Sequence, residues 1–417
     1  MTKTIGIALL TMTSLMAEAP APPVASKNEH HEVRHGATVV DNYFWLREKT
    51  SPDVTKYLEA ENSYTEAMTK DLKPFADSLY QEMLSHIKQT DLSVPVHDRG
   101  YWYYSRTEEG KQYPIQCRRK GTIDAPEQVY LDLNEISKDH KFVGLGHVVL
   151  SDDQNLVAYT LDFTGFRQYS LQVKDLRTGT TFPDTTERVT SLEWASDNKT
   201  LFLTTEDAVT KRSNKVFRHV LGSPEFKQLY EETDELYNID VDRTRDHKYL
   251  VIESGSTDTT ECRVLRADQP DGAFRVLLPR EKKHRYYVDH REGLFYLRTN
   301  KDAKNFRVVT APENDPSPMN WKPFIAHQSD VLIENIELFH GFAVAVEKSQ
   351  ALNRLRIHNF ASGAWETIQF PEPVYSVFPG GTPDYDSTTF RYSYQSFVTP
   401  QSVFDYDTAT GRSALLK

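Results

Sequence analysis

Seven times along this chain a short polar turn introduces a run of strand-forming residues, and few folds accommodate that beat. Ser151-Asp152-Asp153-Gln154-Asn155 leads into Leu156-Val157-Ala158-Tyr159. Ser196-Asp197-Asn198-Lys199-Thr200 leads into Leu201-Phe202-Leu203, and Arg245-Asp246-His247-Lys248 into Tyr249-Leu250-Val251-Ile252. Superposed on Leu156, Leu201 and Leu250, these copies align Asp152 with Asp197 and Asp246. Weaker copies begin at Asp98-Arg99-Gly100, Arg291-Glu292-Gly293, His340-Gly341 and Tyr385-Asp386-Ser387. The spacing is about 48 residues, which is the repeat length of a propeller blade built from short strands.

The rest of each repeat fits a blade. From Val94 onward the apolar period is 2, and each polar turn is followed by a second strand pair around another turn. These trailing pairs start with residues 169–174 before Thr178-Gly179, residues 215–221 before Gly222-Ser223-Pro224, and residues 261–267 before Pro270-Asp271-Gly272. Two more are residues 353–359 before Ser362-Gly363 and residues 403–406 before Thr410-Gly411. Turn chemistry between strand runs marks hairpins. One blade cannot bury both of its faces, whereas a ring can. The expected fold is therefore mainly β: a seven-bladed β-propeller over residues 93–417 with a short N-terminal helical extension.

That extension occupies residues 28–92. Ser51-Pro52-Asp53 is a helix start, with a capping residue, proline at the first position and an acid in the first turn. Val54, Tyr57, Leu58, Tyr64, Ala67, Met68 and Leu72 form an imperfect apolar face. Pro74 ends that helix and opens another, where Phe75, Leu79, Met83 and Ile87 recur every four residues. Both faces need something to cover them: the following strands or a partner domain.

Bulk properties narrow the function. The chain has 417 residues and a formal charge of −11, with a mean hydropathy of −0.59. A nucleic-acid partner is not expected, because phosphate contacts need clustered Lys and Arg. The runs from Arg280 to Arg285 and Arg118-Arg119-Lys120 are short and read as solvated loops or strand edges. Residues 1–27 form a candidate signal peptide and Pro/Ala linker: Lys3, an apolar stretch over residues 5–16, then Ala17-Glu18-Ala19. A periplasmic or secreted location is the expectation, with a cytoplasmic extension as the alternative. The stretch is too short for a membrane span. Cys117 and Cys262 lie in different repeats, beyond the ~7 Å Cα reach of a disulfide. They read as small buried strand residues, and no cofactor is expected.

The search for chemistry finds decoys. His31-Glu32-Val33-Arg34-His35 fits H-E-x-x-H, which binds zinc only on a helix, where i and i+4 share a face. Gly36 follows at once and Thr38-Val39-Val40 is strand-like, so an extended segment and no metal site is the reading. No G-x-S-x-G elbow exists: Gly255-Ser256-Thr257-Asp258 and Gly222-Ser223-Pro224 do not match. Gly380-Gly381 is a turn, not a phosphate cradle. Asp240, Asp242 and Asp246, and Glu231-Glu232 with Asp234-Glu235, read as solvated acidic loops that miss calcium-loop spacing. Trp194, Trp321 and Trp365 read as core.

Several ordered stretches then match a known family. Asp41-Asn42-Tyr43-Phe44-Trp45-Leu46-Arg47, Tyr57-Leu58-Glu59-Ala60-Glu61-Asn62 and Gly110-Lys111-Gln112-Tyr113-Pro114-Ile115-Gln116-Cys117-Arg118-Arg119 come first. Phe397-Val398-Thr399-Pro400, Phe404-Asp405-Tyr406-Asp407, Thr410-Gly411 and Leu415-Leu416-Lys417 follow. Over residues 28–417 the chain resembles the N-terminal part of the prolyl oligopeptidase family of serine peptidases, most closely its oligopeptidase B branch. The resemblance implies a helical segment and a seven-bladed propeller, followed by a C-terminal α/β-hydrolase domain that carries the Ser, Asp and His triad and whose surface the N-terminal helices wrap. It implies cleavage of short peptides after Lys or Arg, with the propeller admitting only short chains. The triad is expected beyond Lys417, so no catalytic, cofactor or metal residue is carried over and the chain by itself is expected to be inactive. Expected partners are that hydrolase domain and short peptides, cationic ones among them. Two other readings stay open: a stand-alone propeller binding a peptide or protein, and a propeller glycosidase or lyase with a pocket at the central channel, which needs carboxylates converging from several blades on one face.

Overall fold

The computed structural model describes residues 20–417; the candidate export signal ahead of residue 20 lies outside them. The chain divides into two compact units, Met1–Lys88 and Gln89–Lys417. In the first, His30–Arg34 and Ala37–Asp41 form a hairpin turned by His35 and Gly36, both at positive φ. The H-E-x-x-H residues are therefore extended, with His31 opposite Val40. Two helices follow, α1 (Pro52–Thr69) and α2 (Lys73–Ser85). A 3-10 turn over Lys70–Leu72 separates them, so α1 stops ahead of Pro74. Ser51 precedes α1 without a side-chain cap; its carbonyl instead accepts from Thr55 N–H at 3.1 Å. The apolar stripe of α2 is open to solvent, with Phe75, Leu79, Met83 and the trailing Ile87 all exposed.

The second unit is a seven-bladed β-propeller. Each blade is an antiparallel meander whose strands are consecutive in sequence. Blade 1 comprises Val96–Asp98, Tyr101–Arg106, Ile115–Lys120 and Gln128–Asp132. Blade 2 has Gly144–Leu150, Leu156–Asp162 and Ser170–Asp175, with only an isolated Lys174–Thr181 bridge in place of a fourth strand. Pro183 sits where that strand would continue and has no N–H for the ladder. Blades 3 to 7 begin at Val189–Trp194, Asn238–Arg243, Tyr286–Arg291, Val331–Leu338 and Tyr375–Pro379, each with three further strands, ending at Arg412–Leu415. The first strands of neighbouring blades approach one another, as those of blades 2 and 3, 3 and 4, and 5 and 6 do, so they line the axis. Starting from one face, four alternating strands return to it, so both ends of the propeller lie on that face; the seven polar turns lie on the opposite one.

Blade contacts are apolar. Leu171 and Val173 of blade 2 meet Leu192, Trp194 and Leu201 of blade 3, and Cys262 and Val264 of blade 4 meet Tyr286 and Phe295 of blade 5. Trp194 is fully buried, and Trp321 and Trp365 pack onto blade cores. Both cysteines are buried and free. Burial pushes the Cys117 thiol up to about 11, which removes thiolate reactivity.

The seven polar turns all join a first strand to a second, but their alignment needs correction. Ser151, Ala195 and Thr244 N–H donate to the carbonyls of Leu156, Thr200 and Tyr249, which sets Asp153, not Asp152, level with Asp197 and Asp246. The chemistry agrees. Each of these three carboxylates accepts the N–H two residues on: Asp153 from Asn155 at 3.0 Å, Asp197 from Lys199 at 3.0 Å, Asp246 from Lys248 at 3.1 Å. Matching leucines misled the superposition, because Leu201 and Leu250 are one place deeper in their strands than Leu156.

Candidate functional site

The first strand of a blade is bonded on one side only, so its exposed side chains open into the channel. In Asn238–Arg243 the alternation is strict. Ile239 and Val241 are buried in the blade core, while Asp240 and Asp242 are exposed. The first strands of blades 2, 3, 5 and 6 carry His147, Glu193, Asp289 and Glu337. Five carboxylates from blades 3 to 6 thus gather along one side of the axis.

Their electrostatics follow from being walled by protein. Burial pushes Glu193 up to about 8, and the like charge of Asp242 adds to this against Arg243 and Arg99. Burial likewise lifts Asp289 to about 7, and raises Glu337 even beside Arg245. Asp240 and Asp242 are raised by the surrounding walls, with His147 pulling the other way. Behind them Glu253, in the second strand of blade 4, is lifted to about 7 by burial and then by Asp240 and Asp242. Glu193, Asp289 and Glu253 therefore keep part of their protons near neutral pH.

Of the acidic residues singled out in the sequence, Glu231, Asp234 and Glu235 are exposed as expected, whereas Asp240, Asp242, Asp246 and Glu232 are not solvated loop residues. Asp240 and Asp242 stand on a channel-lining strand. The Asp246 side chain is buried and pairs with His290 Nδ1 at 2.6 Å; burial opposes its ionisation, but the bond and charge of His290 together with the bonds from Thr244 and the Lys248 N–H hold the carboxyl below its ordinary range. Glu232 is buried, accepting from Tyr230 OH at 2.8 Å and Arg280 at 2.5 Å. The basic runs are likewise partly structural: Arg118 is 2% exposed and donates to the Gln154 carbonyl, and Arg280 lies over the Tyr237 ring. Sequence inspection missed Glu193, Asp289 and Glu337, each isolated in a strand. The one available signal is a polar residue alternating with buried ones in the strand just before a polar turn.

Carboxylates from several blades are one thing a propeller glycosidase or lyase requires, and the first strands of blades 3 to 6 supply them. Comparison with known proteins places the chain elsewhere. Residues 22–417 match the model of the prolyl oligopeptidase N-terminal beta-propeller domain, and the chain belongs to that family. It is 39% identical to dipeptidyl aminopeptidase BI of Pseudoxanthomonas mexicana over 97% of its length and 59% of the relative's. Protease 2 of Moraxella lacunata is 27% identical, over 95% of the chain and 58% of the relative. Among solved structures, oligopeptidase B from Leishmania major superposes with a TM-score of 0.88 at 28% identity, over 95% of this chain and 60% of that one. Oligopeptidase B from Trypanosoma brucei, solved with covalently bound antipain in a closed form, gives 0.87 at 29% identity over the same shares. The chain thus spans about three-fifths of each of these four proteins.

Proposed function

We propose that this chain is the propeller portion of an oligopeptidase B-like serine endopeptidase that acts with an α/β-hydrolase domain and screens the peptides reaching it. The acid-lined channel carries this reading. A half-ring of carboxylates in a walled channel attracts cationic chains at range, an attraction that salt weakens, and suits substrates cleaved after Lys or Arg. The face on which the propeller begins and ends supports a docked domain. Its loops expose Phe166 (73%), Val209 (88%), Leu236 (75%) and Phe397 (95%), apolar side chains of the kind that mark an interface. The open stripe on α2 fits the same partner.

The purified 417-residue chain is expected to leave an arginyl peptide amide intact, since the nucleophile would come from the hydrolase domain; measurable turnover overturns the proposal. The reading frame after codon 417 is expected to continue into a G-x-S-x-G segment. The dipeptidyl aminopeptidase at 39% identity favours a second reading, removal of dipeptides from free amino termini. With the complete enzyme, blocking the substrate's amino group separates the two: endopeptidase cleavage survives it and dipeptide release does not. Export is proposed from residues 1–27, and N-terminal sequencing of the native protein tests it, since retention of Met1 contradicts cleavage.

A further inference from the structure

The join between blade 7 and blade 1 is unlike the other six. No strand is shared across it, because every blade is built from consecutive strands. An apolar cluster spans each of the other interfaces, from blades 1 and 2 through 2 and 3, 3 and 4, 4 and 5, 5 and 6 to 6 and 7. Among the described residues none spans the last. The cluster of Tyr104, Ile115 and Cys117 stays within blade 1, and a cavity of about 410 Å³, lined by His97, Trp102, Thr382, Asp384 and Arg391, occupies the seam. Polar contacts cross it: His97 Nδ1 to Asp384 at 2.6 Å, Arg391 Nη1 to the Pro95 carbonyl at 2.7 Å, and Lys417 Nζ to Asp91 at 2.5 Å.

The missing cohesion is supplied across the axis. Asp152, freed from its own turn because Asp153 does that work, accepts Arg99 of blade 1 at 2.8 Å. It also accepts both Nη atoms of Arg243 of blade 4, at 2.8 and 2.9 Å. Arg243 is 4% exposed and also reaches Ser196 of blade 3 at 2.7 Å. Two residues on, Arg245 donates its backbone N–H to Asp289 of blade 5 at 3.0 Å and Nε to the Leu338 carbonyl of blade 6 at 2.9 Å. Its Nη2 reaches the Thr382 carbonyl of blade 7, and its guanidinium lies over Phe339. One turn of blade 4 is thereby tied directly to blades 2, 3, 5, 6 and 7, and through Asp152 to blade 1. Bonds joining blade 4 to blades 2 and 7 link non-neighbours, so they run as chords across the channel mouth.

We infer that these arginine spokes from the blade 4 turn, more than the polar contacts at the seam, hold the ring closed. Blades 1 and 7 are each anchored to blade 4, through Arg99–Asp152–Arg243 and through Arg245–Thr382, and the seam follows. Charge-assisted and bidentate bonds of this kind are the geometrically specific ones.

Peptide-resolved hydrogen–deuterium exchange on the 417-residue chain tests this. Arg99→Gln cuts the blade 1 anchor without touching blade 7; exchange over residues 375–396 of blade 7 is expected to rise about tenfold or more as the seam opens. Arg245→Gln is expected to do the same over residues 96–106 of blade 1. Arg188→Gln, which removes the Arg188–Glu206 pair inside blade 3, serves as the control and should change blade 3 alone. Increases confined to the substituted blade and its bonded partners overturn the inference. Should either variant fold poorly, Asp152→Asn keeps the side-chain shape, and the blade 7 readout decides in the same way.

Discussion

Asp152 and Asp153 sit side by side in one turn and carry different burdens. Asp153 holds the turn with bonds to Ser151 Oγ and Asn155 N–H, while Asp152 neutralises a buried guanidinium from another blade. Asp153→Ala should cost about 1 kcal/mol, the net worth of an ordinary hydrogen bond. Asp152→Ala should cost about 3 kcal/mol, because it leaves Arg243 buried without its counter-charge; urea unfolding of both variants gives the comparison. Glu193 makes a pH prediction. Its folded-state carboxyl titrates at about 8 because of burial, against an ordinary value of 4.5. The folded state therefore binds the proton more tightly than the unfolded state. That contribution is present below the ordinary carboxylate range and is lost as pH rises towards 8. Glu193→Gln should flatten this decline, raising stability at pH 8 by about 1–2 kcal/mol once water in the channel is allowed for. Urea midpoints across pH 4.5 to 8 check it, and parallel profiles for both proteins contradict it.

At the scale of elements, α2 and the blades show opposite relations between pattern and burial. The blades bury their apolar residues against each other, so Trp194→Ala should cost about 3–5 kcal/mol through the cavity it leaves between blades 2 and 3. The stripe of α2 follows the helical period equally well yet faces solvent. Phe75→Asp with Met83→Asp should shift the stability of the 417-residue chain by no more than about 0.5 kcal/mol, read by thermal unfolding, while weakening docking to the proposed hydrolase domain. The strands and the two helices were legible because their causes are local: period, turn residues and a proline. Blade 2's missing outer strand also has a local cause, in Pro183.

For the whole molecule the testable property is the charge of the channel. A short arginine-rich peptide is expected to bind the 417-residue chain with an affinity that falls steeply with added salt. Asp242→Asn should weaken binding severalfold while leaving the fold intact, followed by fluorescence anisotropy. Salt-independent binding, or an unaffected Asp242→Asn, removes the channel from the proposal. Part of this was visible beforehand: the net charge of −11 already favoured cationic partners over nucleic acid. Where that charge concentrates was not visible.

The sequence by itself determined seven blades, two helices with unfilled faces, an extended H-E-x-x-H segment and membership of a peptidase family, since all of these rest on residues close together in the chain. Only the tertiary structure decided that Asp240, Asp242, Glu193, Asp289 and Glu337 share a channel, that Asp153 and not Asp152 is the repeating turn acid, and that Arg243 and Arg245 reach across to blades 2 and 7. Those facts depend on which side of a first strand faces the axis and on which turns meet over it. Closing the ring brings together residues as far apart as Arg99 and Arg243 or Arg245 and Thr382, and no spacing in the chain records that meeting.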